Sequence, residues 1–528
     1  MHKRTWIKIL IGVSALILIV IAVNCILRSL VEKKLRTSLQ QCQPFIKADF
    51  SKAHINLFNA SVQLDSLHVS YDPELKQQHT HEINFSAATI SDIHFFKLFT
   101  AKKFEAGSLQ LKDAKIKLDN YLLNKHDTLP ADVLKKIDLP FKTVSFNAVE
   151  IKDAVIFEKK NNACDTICTG SITLNDLHLP EINAAFSKDS IHFSNIQCDL
   201  NDVHYRISDY YSVYLKKFYL NSKDSVIQID ALKLVPLVSK LELGEKLGRQ
   251  ADHINASINT IEISGLDAMR LRQKKFIART IKIKNTSAYI FRDRRLPRSN
   301  NKQPMPLDYL KQIPFDVNVG ELNLNDAEVT SEEFPKEGSR SGYIKLYHLS
   351  VTMKPFRNHA DKNASNIVSN INASIMNAGN IHATIDLSLL NGTSVIKGAI
   401  DNLNLPPLNA SAENLGKFHI ESGVLNHLDF QFTATDTKAT GQVVGEYHDL
   451  VIDRLKLTNN GLKKAKLASF LLHKIIIPKN KDASLDVKNR TGKIDYDRDA
   501  TRLVTSYYLK ALLDGIRDSF AFGFVLPK

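Results

Sequence analysis

One tryptophan and an aromatic content of 8% leave this 528-residue chain without the stacking platform that single-stranded nucleic acid requires. Its five cysteines form no disulfide framework: Cys25 sits in an apolar run, and Cys42 and Cys198 stand apart. Cys164 and Cys168 are four residues apart in a polar stretch, which leaves open a local disulfide or two unrelated thiols. A zinc site would need two further ligands that this spacing does not offer. The sequence has no Gly-x-x-x-x-Gly-Lys phosphate loop, no Gly-x-Gly-x-x-Gly and no His-Glu-x-x-His. Gly338-Ser-Arg-Ser-Gly342 has Arg340 where a nucleophile elbow needs its serine. An enzyme is therefore not expected, a hydrolase hidden in the chain has no catalytic set to use, and no cofactor or metal is implied.

The net charge of +14 raises nucleic acid and anionic lipid as partners. Basic residues are dense only at Arg292-Asp293-Arg294-Arg295 and beside the N-terminal apolar run. Most lysines alternate with apolar residues, as in Lys115-Ile116-Lys117-Leu118, which reads as the solvated face of a sheet. No nucleic-acid partner is expected. Only one long hydrophobic run occurs, from about Trp6 to Leu27, enough to span a hydrocarbon core of about 30 Å. No small-residue cleavage pattern follows it, so a retained anchor is expected rather than a signal peptide. Lys3, Arg4 and Lys8 precede the span, and Arg28, Lys33, Lys34 and Arg36 follow it, so the flanking charge is nearly balanced. Long exported domains largely escape the charge rule, which favours a short cytoplasmic N-terminus and a translocated body.

Beyond the anchor the chain is written twice. Gln63-Leu-Asp-Ser-Leu-His-Val returns as Gln228-Ile-Asp-Ala-Leu-Lys-Leu, and Lys102-Lys-Phe as Lys274-Lys-Phe. Leu139-Pro-Phe returns as Ile313-Pro-Phe, and Asp153-Ala as Asp326-Ala, with a third, partial start at Ile400-Asp-Asn-Leu. Such self-similarity marks a body assembled from equivalent units. Asp65, Asp230 and Asp401 recur with the repeat, which suits turn or register chemistry better than a single catalytic constellation.

Within each unit the apolar residues alternate with polar ones, the period of a strand with one buried face. Leu109 and Leu111 share one parity, and after Asp113 the parity flips to Ala114, Ile116 and Leu118. The flip recurs at Asp153-Ala154 and Asp326-Ala327, and each requires a turn or bulge. Short helices are expected at Ala131–Ile137 and Leu307–Ile313. Near the end, Val504, Tyr508, Leu512, Ile516 and Phe520 form an i+4 stripe on an amphipathic helix. That helix would dock on the end of the sheet or meet a membrane or partner.

The stretches Phe291-Arg-Asp-Arg-Arg-Leu-Pro, Glu332-Glu-Phe-Pro-Lys-Glu-Gly, Ile420-Glu-Ser-Gly-Val-Leu-Asn-His-Leu-Asp-Phe and Tyr507-Tyr-Leu-Lys-Ala-Leu-Leu-Asp-Gly-Ile-Arg-Asp, with the anchor and repeats, resemble the AsmA-like family of envelope proteins in its Bacteroidetes-type form. The resemblance runs over nearly the whole chain but rests on soft motifs. It implies an inner-membrane protein with a periplasmic, elongated, open β-groove, related to larger proteins linked to phospholipid movement towards the outer membrane.

The expected fold is mainly β: an elongated, curved, open antiparallel sheet forming a groove and built from repeats, with an N-terminal transmembrane helix and a C-terminal amphipathic helix. The expected segments are a cytoplasmic tail (1–6), the anchor (7–27) and a membrane-proximal helix (28–50). β units follow at 51–180 and 181–352, then a third, partial unit at 353–495, and the C-terminal helix and tail at 496–528. Leu109, Leu111, Val149, Ile151, Ile281, Ile283, Leu322 and Leu324 are the candidate groove-lining residues, with Gln110, Lys282 and Asn323 on the opposite face. The expected partners are phospholipid or another acyl lipid, the inner membrane, and other envelope proteins through the C-terminal helix. The expected function is to bind or conduct lipid towards the outer membrane; a non-catalytic envelope scaffold or regulator of outer-membrane assembly is the alternative.

Overall fold

A computed structural model describes residues 46–56, 58–72, 81–119, 143–160, 163–179, 191–271, 273–360, 366–458, 461–464 and 490–519, with Ser29, Glu32, Lys33, Arg36 and Thr37 before them. The anchor expected at 7–27, the helix expected at 131–137 and the tail from Phe520 lie outside the described residues. Among the described residues no helix is long and apolar enough to cross a membrane.

The chain is mainly β and forms two compact units, Met1–His204 with Lys217–Lys223, and Tyr205–Lys216 with Asp224–Lys528. The β units expected at 181–352 and 353–495 thus lie largely within one compact unit. The first unit contains β1 (Ile46–Asp49), β2 (Lys52–Asn56), β3 (Ser61–Tyr71), β4 (His81–Ser91), β5 (Lys103–Lys112), β6 (Lys115–Asp119), β7 (Thr143–Lys160), β8 (Ala163–Leu179) and most of β9 (Asn195–Arg206). β1 occupies part of the stretch expected as a membrane-proximal helix. Ile46-Lys-Ala-Asp alternates, and pairing with Tyr71–His68 gives its backbone groups partners that a frayed helix end would lack.

The second unit contains the start of β10 (Tyr211–Asn221), then β11 (Val226–Pro236), β12 (Asp252–Ser264), β13 (Lys275–Asp293), β14 (Asp316–Phe334), β15 (Gly342–Lys354) and β16 (Phe356–Arg357). β17 (Asn366–Ile375), β18 (Gly379–Ser388), β19 (Ser394–Asn404), β20 (Phe418–Ala434), β21 (Lys438–Thr458), β22 (Gly461–Lys464) and β23 (Arg490–Asp497) complete it.

Both units use one order of pairings. In the first, β3 runs antiparallel to β4, β4 to β5 and β6, β5 and β6 parallel to β7, and β7 antiparallel to β8. In the second, β11, β12 and β13 are antiparallel, β13 is parallel to β14, and β14 antiparallel to β15. The sheet is therefore mixed, not antiparallel throughout as expected. Parallel neighbours need a long crossover, and residues 294–315 supply it between β13 and β14. That crossover carries the helix Pro306–Lys311, where one was expected.

Asp113, Asp153 and Asp326 have φ of 49°, 53° and 55°, and the register shifts between Ile151 and Ala154 and between Leu324 and Ala327. Each parity flip is thus a bulge at one left-handed residue. Leu111, Ala114, Ile116, Ile151 and Ala154 consequently meet in one cluster, with Ala114 fully buried. Without the bulge, strict alternation would send Ala114 and Ile116 to the other face. Aspartate tolerates this conformation better than other side chains, and a β-branched residue tolerates it worst. Asp153→Val should lower stability by about 1–2 kcal/mol, while Asp153→Gly should leave it unchanged or raise it. Chemical denaturation of both variants checks the contrast.

Candidate apolar sheet face

The eight candidate residues are direct neighbours in the ladder. Leu109 pairs with Val149 and Leu111 with Ile151 in the first unit; Ile281 pairs with Leu322 and Ile283 with Leu324 in the second. Paired residues project from the same side of a sheet, so rows can be followed from strand to strand. In the first unit one row runs Ile55, Val62, Ile90, Leu109, Val149, Leu174, Ile196. The adjacent row runs Ala53, Leu64, Ala88, Leu111, Ile151, Ile172, Cys198. Every member of both rows is apolar.

The second unit repeats this over more strands. Ile229, Ile261, Ile283, Leu324, Val351, Ile371, Ala383, Gly398, Phe430, Val443 and Gly492 are successive partners from β11 to β23. Between this row and its neighbour lies a polar one on the reverse face: Gln228, Glu262, Lys282, Asn323, Thr352, Asn370, Thr384, Lys397, Gln431, Gln442, Lys493. The expected contrast of Ile281 and Ile283 against Lys282, and of Leu322 and Leu324 against Asn323, follows from this register.

One end of the apolar face is covered. The helix Val504–Ser519 lays Tyr507, Ala511, Leu512 and Ile516 against Phe430, Phe432, Val443 and Ile494. Val443 and Ile494 are fully buried, and Phe432 is 2% exposed. Close approach is possible because two glycines meet: a Cβ on Gly492 would lie 2.0 Å from the Gly515 carbonyl oxygen. Tyr508 donates to Ser394 Oγ at 2.8 Å and Tyr507 to the Thr435 carbonyl at 3.2 Å, so the polar tips of the buried tyrosines are satisfied. The crossover helix adds Leu307 and Leu310 against Ile367, Leu387 and Met353.

The candidate residues have a different environment. Ile281, Ile283, Leu322 and Leu324 are only half-buried, as are Leu109, Leu111 and Ile151, while Val149 is buried at 7% exposure. In the first unit Leu109 and Val149 join a cluster with Phe104, Val144 and Phe146.

Part of the polar chemistry on the reverse face is satisfied within the sheet. Asn370, Asn372, His382, Thr384, Lys397 and Gln431 line a shallow depression of 550 Å³ there. Thr384 donates to Asn370 at 3.0 Å, and the His382 ring lies 2.7 Å from Asn372, so these groups bond one another. Cys168 is a buried free thiol, so the local disulfide with Cys164 is not formed; four residues along one strand span about 13 Å, beyond a disulfide's reach. Cys198 is also free, its thiol pushed up to about 11 by burial first and then by Cys168 and Asp199. Among the described residues no group of three His, Cys, Asp or Glu side chains is placed to hold a metal. No protein-family model and no curated protein sequence matches the chain.

The covered and half-buried stretches should respond differently to truncation. Phe432→Ala should cost about 3–5 kcal/mol, because it opens a cavity under the helix. Ile283→Ala should cost less than about 2 kcal/mol, because part of that side chain is already in water. Equilibrium denaturation of the two variants checks the order.

Proposed function

We propose that the chain binds or conducts acyl lipids along the apolar sheet face, as a single-pass inner-membrane protein whose body lies in the periplasm. One observation carries the reading. An apolar row crosses eleven strands of the second unit without a charged residue, yet it is only half-buried at Ile283 and Leu324, as are Ile281 and Leu322 in the row beside it, while the far end is sealed by a helix. An apolar surface of this extent in water is an aggregation liability unless something occupies it. Acyl chains suit it because burial of each CH₂ contributes about 0.8 kcal/mol without directional contacts. The length of the expected anchor, the absence of a cleavage pattern after it and the resemblance to envelope proteins support the location. No catalytic residue is assigned.

A scaffold that carries no lipid is the second reading. What favours it is the far end, where Tyr507, Ala511 and Leu512 of the chain itself fill the face.

Replacing Leu111 or Ile283 by Asp places a charge among apolar rows, at a cost of several kcal/mol to an acyl chain passing it. Lys282→Asp changes a solvated charge on the reverse face and should matter little, on the scale of about 0–1 kcal/mol. With labelled phospholipid carrying a photoreactive acyl chain and purified full-length protein, the two apolar-face variants should lose most crosslinking and Lys282→Asp should retain it. Thermal melting checks folding separately. Folded Leu111→Asp and Ile283→Asp variants that capture lipid as well as the parent would leave the scaffold reading in its place.

A further inference from the structure

An apolar face does not account for the dense basic stretch around Arg292. In the second unit Arg249, Arg292, Arg294, Arg298 and Arg502 line a single recess of 200 Å³. They come from separate parts of the chain: the loop before β12, the end of β13, the crossover after it and the segment leading into the C-terminal helix. Thr501, Leu503 and Ser506 form the wall beside the first turn of that helix. Backbone ties hold these segments together, with Gln250 N–H donating to the Pro297 carbonyl at 2.9 Å and Gln303 N–H to that of Ala500 at 2.7 Å.

Three carboxylates answer part of this charge. Asp252 takes a two-pronged contact from Arg292 at 2.8 and 2.6 Å. Glu333 accepts from Arg294 at 3.2 Å. Asp499 accepts from Arg502 at 2.8 Å and from Arg298 at 3.0 Å. Burial works against the charge on Asp499, and hydrogen bonds from Thr501 and Arg502 outweigh it, holding the carboxyl at about 2. The five guanidiniums therefore outnumber the carboxylates, and each brings five donors, of which these contacts use two on Arg292, one each on Arg294, Arg298 and Arg502, and none on Arg249.

Lys510, one helix face further on, feels the surplus. Its ammonium is held below the usual lysine range, by burial first and then by Arg502, Arg294 and Arg298. The opening turn of the helix adds N–H groups without intrahelical acceptors and a dipole of the same sign. Like charges gathered in a recess partly shielded from water are stabilised by an anion that takes several forks at once. A phosphate matches that demand, with oxygens pointing in several directions. The recess is roomy enough for one, since a water occupies about 30 Å³ of liquid, but it is too small to take two acyl chains as well.

We propose that this recess is a phosphate-binding site, and that the phosphate it receives is the headgroup of a lipid whose chains lie on the apolar face. The second half rests on the lipid reading above; the first does not. The recess adjoins the N-terminal turn of the helix that closes that face, and Arg292 lies on the same strand as Ile281 and Ile283.

The test uses the purified full-length chain in a non-ionic detergent with three probes. Inorganic phosphate, titrated at fixed ionic strength and read by ³¹P line broadening, reports on the recess alone. Dioleoyl phosphatidic acid and dioleoylglycerol, read by competition with a fluorescent acyl probe, share their chains and differ in the phosphate. The parent should prefer phosphatidic acid at least tenfold, and inorganic phosphate should weaken that preference. R249Q should reduce the preference several-fold and R249Q/R502Q should bring it near parity, with dioleoylglycerol binding unchanged. R249K, which keeps the charge, should recover most of it and shows that loss is not unfolding. Inorganic phosphate that binds the parent and not R249Q/R502Q, with neither lipid bound, would keep the phosphate site and overturn its lipid source. Equal binding of both lipids, with inorganic phosphate bound alike by parent and variants, would overturn the site itself.

Discussion

Side chains on hydrogen-bonded strands alternate between faces, and everything else in this protein depends on keeping that alternation in phase. Once Leu109 is opposite Val149 and Ile283 opposite Leu324, every further strand must present its apolar residues on the same parity. A slip of one residue on any strand would put lysines and glutamines into the apolar rows. The bulges at Asp113, Asp153 and Asp326 preserve the phase where the sequence changes parity, so that Ile151 and Ala154 on β7, and Leu324 and Ala327 on β14, stay on one face. The parallel contact recurs in both units on the strands that carry or flank these three bulges, and the crossover between β13 and β14 carries the helix Pro306–Lys311.

The same apolar face has two fates within the second unit. Over β20, β21 and β23 the chain completes its own core: Gly492 and Gly515 let a helix approach until Val443 and Ile494 lose all contact with water. Over β13 and β14, Ile281, Ile283, Leu322 and Leu324 keep part of their surface exposed. Burial of apolar area stabilises by roughly 25 cal/mol per Å², so the half-buried stretch holds unused stabilisation that an apolar ligand would realise. This difference, and not any single polar group, is what a non-catalytic lipid-binding role requires.

Much of this was legible because alternation is a local signal. The pairs Leu109/Leu111 and Ile281/Ile283, their polar counterparts Gln110 and Lys282, and the flips at three Asp-Ala steps could all be read from spacing alone. Parallel pairing was not legible, since a strand with one apolar face alternates in the same way whichever direction its neighbour runs. The stripe Val504, Tyr508, Leu512, Ile516 found the C-terminal helix but missed Tyr507 and Ala511, its most deeply buried residues. Small residues at the contact let the helix sink in, and periodicity weighted by hydrophobicity undervalues Ala511 and Gly515. The arginine recess was visible only in part: Arg292, Arg294 and Arg295 form a run, whereas Arg249 and Arg502 join through backbone ties between distant segments.

The central claim is that the apolar face is completed by acyl chains rather than by protein. Native mass spectrometry of the full-length chain, gently released from detergent after purification from membranes, tests it most directly. The account predicts discrete mass additions of lipid size that survive mild activation and diminish in Ile283→Asp. A spectrum in which the parent flies only at its bare polypeptide mass, under conditions where a known lipid-binding control retains its ligand, would contradict it.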